Sequence, residues 1–482
     1  MVDRPYIFFE LTNSLCSQCL RKLEAKILIE QGSVWMLKRC PAHGPERVLL
    51  STDVEYYQLQ RRFLKPGQLP RHFGTAWERG CPYDCGLCPD HEQHSCLSLV
   101  EITDHCNLEC PVCYAGSSPT RREYRTLGEV EAMLDAVVRN EGQPDVVQIS
   151  GGEPTLHPQL FEILRAAKQR PIRHLMLNTN GLRLANDPEL VSQLAAFAPG
   201  FEIYLQFDSL RPEPYLALRG ADLLEKKLRA LTELERVGLS TTLVVTLKKG
   251  LNDRELGELV RFALGFRCVR GITFQPVQDA GRNLAYDADT QRLTLSEVRS
   301  GLLAQQALFG ERDLIPVPCH PDALCMGYAL KANGGATALS GLLDPETLLT
   351  SAGSTIVYER SAELKEHLLK LFSTAASPAS SENNLKQLLC CLPSLEAGHG
   401  AADLTYENVF RVLIVQFMDA FSFDVRSVKR SCIHMAQPDG RMIPFETYNL
   451  LYRDPRRLAQ IIEGGAVETG LTPLRVRRAE LS

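Results

Sequence analysis

Gly80 to Tyr114, GCPYDCGLCPDHEQHSCLSLVEITDHCNLECPVCY, carries the spacing Cys-x3-Cys-x2-Cys twice. The first copy is Cys81, Cys85 and Cys88, the second is Cys106, Cys110 and Cys113, and Cys96 stands between them. Three thiolates at this spacing can hold three corners of a [4Fe–4S] cube and leave the fourth iron open to a small molecule, whereas four close it for electron transfer. The second copy has no nearby fourth cysteine and reads as the open kind. The first copy with Cys96 supplies four thiolates, enough for a closed auxiliary [4Fe–4S] cluster or a four-cysteine zinc site. His91 and His94 lie in the same loop and could replace Cys96.

Two further groups have ligand chemistry. Cys16-x2-Cys19 and Cys40-Pro-Ala-His43-Gly44 flank AKILIEQGSVWMLKRC, which reads as two short strands around the turn signal Gln31-Gly32. A hairpin that joins two such knuckles is the economy of a small zinc-ribbon or rubredoxin-like module, with three thiolates and one imidazole around Zn²⁺ or a mononuclear iron. Late in the chain, Cys319 and Cys325 in CHPDALC and Cys432 in SCIH could converge on another auxiliary cluster, with Cys390 or Cys391 as a fourth ligand; buried inert thiols are the competing reading. Cys268, alone at the entry to a strand, reads as core.

Composition sets the compartment. Sixteen cysteines, ten of them before residue 114, in a chain whose start lacks an export signal imply a reducing, cytoplasmic setting in which thiolates serve metals. Length 482 suggests about two to four domains. A net charge of −5 gives no reason to expect nucleic acid, and no uncharged apolar run reaches the length of a membrane span, leaving only peripheral membrane contact open. The basic Leu474-Arg475-Val476-Arg477-Arg478 reads as solvated terminal charge.

The elements that must position these thiols follow from periodicity. LSLVEITDHC, DVVQISGG, HLMLNTNG, EIYLQFDS, STTLVVTLKKG and GITFQPVQ are six apolar strands separated by amphipathic helices such as TLGEVEAMLDAVVRN, which sets Leu127, Val130, Leu134 and Val137 on one face. Apolar strands alternating with helices imply a parallel sheet covered on the outside, and six units suit a partial barrel with its chemistry at the carboxyl strand ends. The expected organisation is a metal module over residues 1–70, an auxiliary-cluster segment over 71–97, the barrel over 98–285, and a C-terminal domain over 286–482. In the last, AELKEHLLKLF and LTYENVFRVLIVQFMDAF look helical, STAASPASSENN reads as a linker, and Pro438-Asp439-Gly440 as a turn.

Cys106-Asn107-Leu108-Glu109-Cys110-Pro111-Val112-Cys113 resembles the signature of the radical SAM superfamily. Ser150-Gly151-Gly152-Glu153-Pro154 and Asn178-Thr179-Asn180-Gly181 resemble its motifs at the ends of the second and third strands. The fold class is then α/β, a partial (β/α)6 radical SAM barrel with an N-terminal metal-knuckle module and a C-terminal α+β extension. The resemblance implies that S-adenosylmethionine chelates the open iron held by Cys106, Cys110 and Cys113, and that its reductive cleavage yields a 5′-deoxyadenosyl radical able to take hydrogen from an unactivated C–H bond. It places Gly151, Gly152 and Glu153 at the amino group of S-adenosylmethionine and Arg219 at its carboxylate, with a surface arginine as the alternative. Asp208 and Ser209 end the fourth strand, while Asn180, Thr246 and Gln275 are candidates for ribose or adenine contacts. Val112 precedes the last cysteine where many members carry an aromatic residue, and Tyr114 follows it.

The whole layout resembles the archaeal tetraether lipid synthases and their relatives, once considered methylases of a pterin cofactor. That implies carbon–carbon coupling of lipid hydrocarbon chains, with a ferredoxin or flavodoxin as electron donor and a lipid substrate. A radical methylase of a pterin-like molecule, a peptide maturase, and a non-catalytic iron–sulfur or zinc protein are the alternatives. Glu446 and Thr447 depart from the pattern, standing where relatives carry cysteine.

Overall fold

The computed structural model describes residues 4–283, 286–332, 335–342 and 408–463, with single positions 349, 355 and 356. Cys390, Cys391, the linker at 373–384, the helical-looking 362–372 and the basic 474–478 lie outside the described residues.

The N-terminal module is a four-stranded antiparallel meander: β1 (Ile7–Leu15), β2 (Lys22–Glu30), β3 (Ser33–Cys40) and β4 (Gly44–Ser51). Gln31 and Gly32 both have positive φ, +49° and +76°, as a tight β2–β3 hairpin demands. Helix α1 (Val54–Arg62) follows, capped by the Asp53 carboxylate on the Tyr56 N–H.

The alternation after residue 97 folds as a barrel. Strands β5 (Leu97–Glu101), β6 (Val146–Ser150), β7 (His174–Thr179), β8 (Phe201–Gln206), β9 (Thr241–Leu247) and β10 (Val269–Pro276) lie side by side in chain order, every neighbouring pair parallel. Helices α2 (Leu127–Glu141), α3 (Leu160–Lys168), α4 (Pro188–Ala195), α5 (Pro212–Arg219), α6 (Leu224–Val237) and α7 (Leu256–Leu264) occupy the crossovers. Their apolar faces close over the strands: Val130, Leu134 and Val137 of α2 share one core with Val147, Ile149 and Leu177. A capping box between Thr126 and Glu129 fixes where α2 begins.

The C-terminal α+β extension is built onto this sheet at both edges. On one edge β14 (Val409–Val415) pairs parallel to β10, and β12 (Leu324–Ala332) pairs antiparallel to β14 and carries β11 (Ile315–Pro316) and β13 (Gly335–Ala338). On the other edge β15 (Ile433–Ala436) pairs parallel to β5 and antiparallel to β16 (Met442–Pro444), joined by the Pro438-Asp439-Gly440 turn. The segment read as helical, residues 404–421, instead contains β14. Val409, Val412, Ile414 and Val415 are β-branched, and the open edge of β10 offers them a ladder that helical periodicity cannot reveal.

Candidate functional site: a cysteine-lined cavity and two metal knuckles

Cys106, Cys110 and Cys113 sit in the loop that leaves β5, and all three line a cavity of about 230 Å³ at the carboxyl ends of the barrel strands. Gly151 and Gly152, just past β6, form part of its wall. Both positions require glycine. A Cβ on Gly151, whose φ is +128°, would fall 2.3 Å from the Thr103 carbonyl oxygen, and one on Gly152 would fall 2.2 Å from that of His105. The close approach lets the Gly152 N–H donate to Thr103 O at 2.7 Å and the Glu153 N–H to His105 O at 2.8 Å, so the glycine loop is laced to the cysteine loop. Tyr114, Asn180, Arg219, Thr246 and Gln275 also line the cavity.

Glu153 has a different part from the one expected. Its carboxylate is fully buried and saturated by the chain: Oε1 accepts from the Thr155 N–H and hydroxyl and from Thr179 Oγ1, and Oε2 from the Asn180 N–H at 2.7 Å. It ties the ends of β6 and β7 together rather than reaching into the cavity. Asn180, so held, donates to Asn107 Oδ1 at 2.7 Å within the cysteine loop.

Arg219 is no surface arginine. It is buried, forks onto Asp208 through Nε and Nη2 at 2.7 Å each, and donates from Nη2 to Thr246 Oγ1 at 2.7 Å. Burial alone would disfavour the cation, yet the Asp208 carboxylate more than offsets this and holds the guanidinium charged. Asp208 therefore orients Arg219 and does not line the cavity. Ser209 does not line it either; its hydroxyl is used by both oxygens of Glu255 at 3.0 and 2.7 Å.

Two residues escaped the sequence reading. Lys227, fully buried on α6, donates from Nζ to the Asn180 carbonyl, and burial lowers its pKa to about 8. Arg282, past β10, donates to Cys110 O and Ser117 O at 2.6 Å each, and its backbone bridges Cys113. Gly281 beside it packs where a Cβ would meet Tyr114 O at 2.2 Å. Neither residue stands in a motif; a lysine inside the apolar face of α6 was the one available signal.

The donor set fits an iron–sulfur cluster with one free corner. Burial pushes the Cys106 thiol up to about 12 and raises that of Cys110, so without metal these are neutral thiols and cluster binding must displace their protons. Arg219, held charged by Asp208, lines the same cavity.

The N-terminal knuckles converge as expected. Cys16, Cys19, Cys40 and His43 offer ligand atoms all within 4.8 Å of one another. Burial opposes ionisation of Cys40, but N–H donors of Ala42 and His43 outweigh it and bring that thiol down to about 6, suited to a metal thiolate.

The first triplet requires a correction. Cys81, Cys85 and Cys88 line one small cavity with His91, but Cys96 is not their partner. Pairing of Ile433 with Leu97 sets the preceding residues side by side, and Cys96 meets Cys432 and Cys319 with all three sulfurs within 4.8 Å. Among the described residues no fourth cysteine joins the first triplet; the Thr447 hydroxyl lies against Cys85 instead. His91 Nε2 is 2.9 Å from the Ser431 carbonyl oxygen. A second correction concerns Cys325. It points into the barrel core beside Tyr56 and joins no ligand group among the described residues, because neighbours on β12 alternate faces. Cys268 is core, as read.

Comparison with known proteins agrees with this geometry. Residues 100–263 match the radical SAM superfamily and residues 8–52 the HMPTM N-terminal zinc ribbon domain. A relative from Methanocaldococcus jannaschii, a 7,8-dihydro-6-hydroxymethylpterin dimethyltransferase, is 31% identical over 480 residues, covering 92% of this chain and 94% of its own. A probable GTP 3′,8-cyclase of Thermococcus kodakarensis is 32% identical over 34% of this chain and 52% of its own. Among solved structures, Streptococcus suis SuiB bound to S-adenosylmethionine is similar over 44% of this chain and 48% of its own, at 17% identity and a TM-score of 0.35. No helix among the described residues is long and apolar enough to cross a membrane. The glycine loop laced to a three-cysteine loop, behind a zinc ribbon and with a match over 94% of the M. jannaschii relative, places this chain in the radical SAM superfamily, in the 7,8-dihydro-6-hydroxymethylpterin dimethyltransferase family.

Proposed function

We propose that this radical SAM enzyme acts on a reduced pterin or a similar flat heterocycle. Abstraction of hydrogen from a C–H bond would leave a carbon radical that takes a methyl group from a second S-adenosylmethionine, one further electron from the external donor releasing S-adenosylhomocysteine. The observation that carries the reading is an aromatic face on the wall of the cavity. Phe417 and Phe445, stacked at 3.9 Å between centroids, line the same space and offer a face for a planar ring. The full-length relative is named for such a substrate.

When bound, the cluster and S-adenosylmethionine supply the one-electron cleavage that makes the abstracting radical, so an external one-electron donor such as ferredoxin or flavodoxin is a required partner. The chain's own residues do the positioning. Arg219, fixed by Asp208, meets the carboxylate; the bare backbone of Gly151 and Gly152 admits the amino group; Thr246, Asn180 and Gln275 border the nucleoside; and Tyr114 with Phe445 covers that side against water.

A second reading, coupling of lipid hydrocarbon chains, is favoured by Leu324, Leu413, Val415 and Ile433 on the wall of the same cavity. Anaerobic incubation with S-adenosylmethionine, dithionite and either 6-hydroxymethyl-7,8-dihydropterin or a lipid extract, followed by mass spectrometry, separates the two. The pterin gaining one or two methyl groups is the expected result. A coupled lipid with an unchanged pterin would replace the first reading with the second, and 5′-deoxyadenosine with neither product would remove both.

A further inference from the structure

The segment between α1 and the first cysteine triplet leaves large side chains outside. Leu69, Phe73 and Trp77 stand 61%, 38% and 50% exposed within one short stretch of chain, and aromatic side chains presented in this way anchor protein interfaces. The stretch is firmly held. Asp84 Oδ2, between Cys81 and Cys85, accepts from the N–H groups of Glu78, Arg79 and Gly80 at 2.7, 2.5 and 2.7 Å. Thr75 Oγ1 donates to Asp84 O at 2.7 Å, and the Gly74 N–H donates to Gly86 O at 3.1 Å. Residues 74–80 therefore lie directly on the loop of Cys81, Cys85 and Cys88. A platform fixed before its partner arrives loses little entropy on binding.

Cations border the platform. Lys22 Nζ is 3.4 Å from Cys81 O, and a Cβ added to Gly74 would fall 3.8 Å from Arg441 Cα. The Arg71 guanidinium covers Gly142 just past α2, that of Arg139 reaches Gly440, and Arg79 is exposed on the platform itself. Against these stand Glu78, Asp439 and the Asp84 carboxylate, the last already taken up by three N–H groups. The face is thus net positive on a chain whose total charge is −5, and complementarity calls for an acidic partner.

Behind the platform, packing is continuous towards the cavity. Tyr452, whose ring lies under the Arg441 cation, accepts from the Cys85 N–H at 2.9 Å and donates to Pro82 O at 3.1 Å. Cys85 and Phe445 share one core, and the Tyr114 ring, next to Cys113, is 5.2 Å from that of Phe445. We propose that the face formed by residues 69–80 docks the acidic one-electron carrier, a ferredoxin or a flavodoxin, that reduces this enzyme. One electron leaves the carrier's reduced iron–sulfur or flavin group and enters the enzyme's iron–sulfur centres, with no bond made or broken. An anionic membrane also takes aromatic and basic side chains, but it would have no use for the thiols directly behind them. The assignment holds whichever substrate the cavity takes.

Calorimetric binding of the anaerobically reconstituted protein to a purified two-cluster ferredoxin and a purified flavodoxin, at low and high salt, tests the proposal. Cleavage of S-adenosylmethionine driven by the same carriers or by dithionite is followed alongside. Trp77→Ala and the double variant Arg71→Glu/Arg79→Glu are expected to weaken carrier binding about tenfold or more. Both should slow carrier-driven formation of 5′-deoxyadenosine and leave the dithionite-driven reaction unchanged. Wild-type affinity should fall as salt rises. Arg165→Glu/Arg229→Glu, the same change of charge at exposed positions on α3 and α6, should bind as wild type does. Equal affinity in wild type and both platform variants, or no binding of either carrier to wild type, would overturn the proposal. So would adsorption to phosphatidylglycerol vesicles that Trp77→Ala abolishes while carrier binding persists. Binding is read apart from turnover, so a preparation that fails to cleave S-adenosylmethionine still decides the matter.

Discussion

Arg219 and Asp208 show how a buried charge is made useful. The pair is fully desolvated, so it contributes to folding only while both partners are present. Arg219→Ala is expected to cost about 3–5 kcal/mol, read as a lowered Tm, and to abolish S-adenosylmethionine binding in equilibrium dialysis. Arg219→Lys keeps the charge but not the fork, and should retain more of the stability than of the binding. Nothing but the resemblance singled out Arg219 in the sequence, and the structure shows it buried on the cavity wall. Its partner's duty was not legible, because a strand-end aspartate looks the same whether it meets a ligand or an arginine. The same holds for Glu153, whose four internal donors come from Thr155, Thr179 and Asn180 and are set only once β6 and β7 lie parallel.

At the scale of elements, the cysteine loop has little regular structure of its own and is held by its neighbours. The glycine loop after β6 laces one side, and the segment after β10 clamps the other through Arg282. Arg282→Ala should leave the fold near its wild-type stability, yet speed loss of the cavity cluster to a chelator several-fold, followed by bleaching of its visible absorption. The six strands and the knuckle hairpin were legible because period and turn residues are local signals. The grouping of Cys96 was not, for the opposite reason: spacing joined it to Cys81, Cys85 and Cys88, while an edge pairing between residues 97 and 433 joined it to Cys432. Residues 404–421 failed likewise, since the open edge of β10, and not the segment's own pattern, makes β14 a strand.

The molecule as a whole is knit by contacts between its first and last parts. Lys38 on β3 is buried and donates from Nζ to the carbonyls of Leu15 at 2.6 Å, Ala420 at 2.9 Å and Phe421 at 2.7 Å; Thr12 donates to Asp424 at 2.6 Å. Burial lowers the Lys38 pKa to about 8, so these carbonyls compensate a real desolvation cost. Lys38→Met would leave them without a donor, and should destabilise by about 1–3 kcal/mol while making the ribbon more susceptible to limited proteolysis. Metal loading should also depend on pH. Because burial holds Cys106 and Cys85 near 12, each thiol that ligates must release a proton, and reconstitution affinity should rise about tenfold per pH unit for each proton displaced. Proton release into weakly buffered solution during reconstitution checks the sign; proton uptake would reverse it.

All of this rests on an iron corner left free by Cys106, Cys110 and Cys113 inside the glycine-walled cavity. The most direct measurement is formation of 5′-deoxyadenosine and methionine from S-adenosylmethionine by anaerobically reconstituted protein under dithionite, alongside Cys110→Ala. The account predicts the two products in equal amounts from wild type and none from the variant. Equal yields from Cys110→Ala, or no cleavage by a wild type that carries its full complement of iron and sulfide, would contradict it.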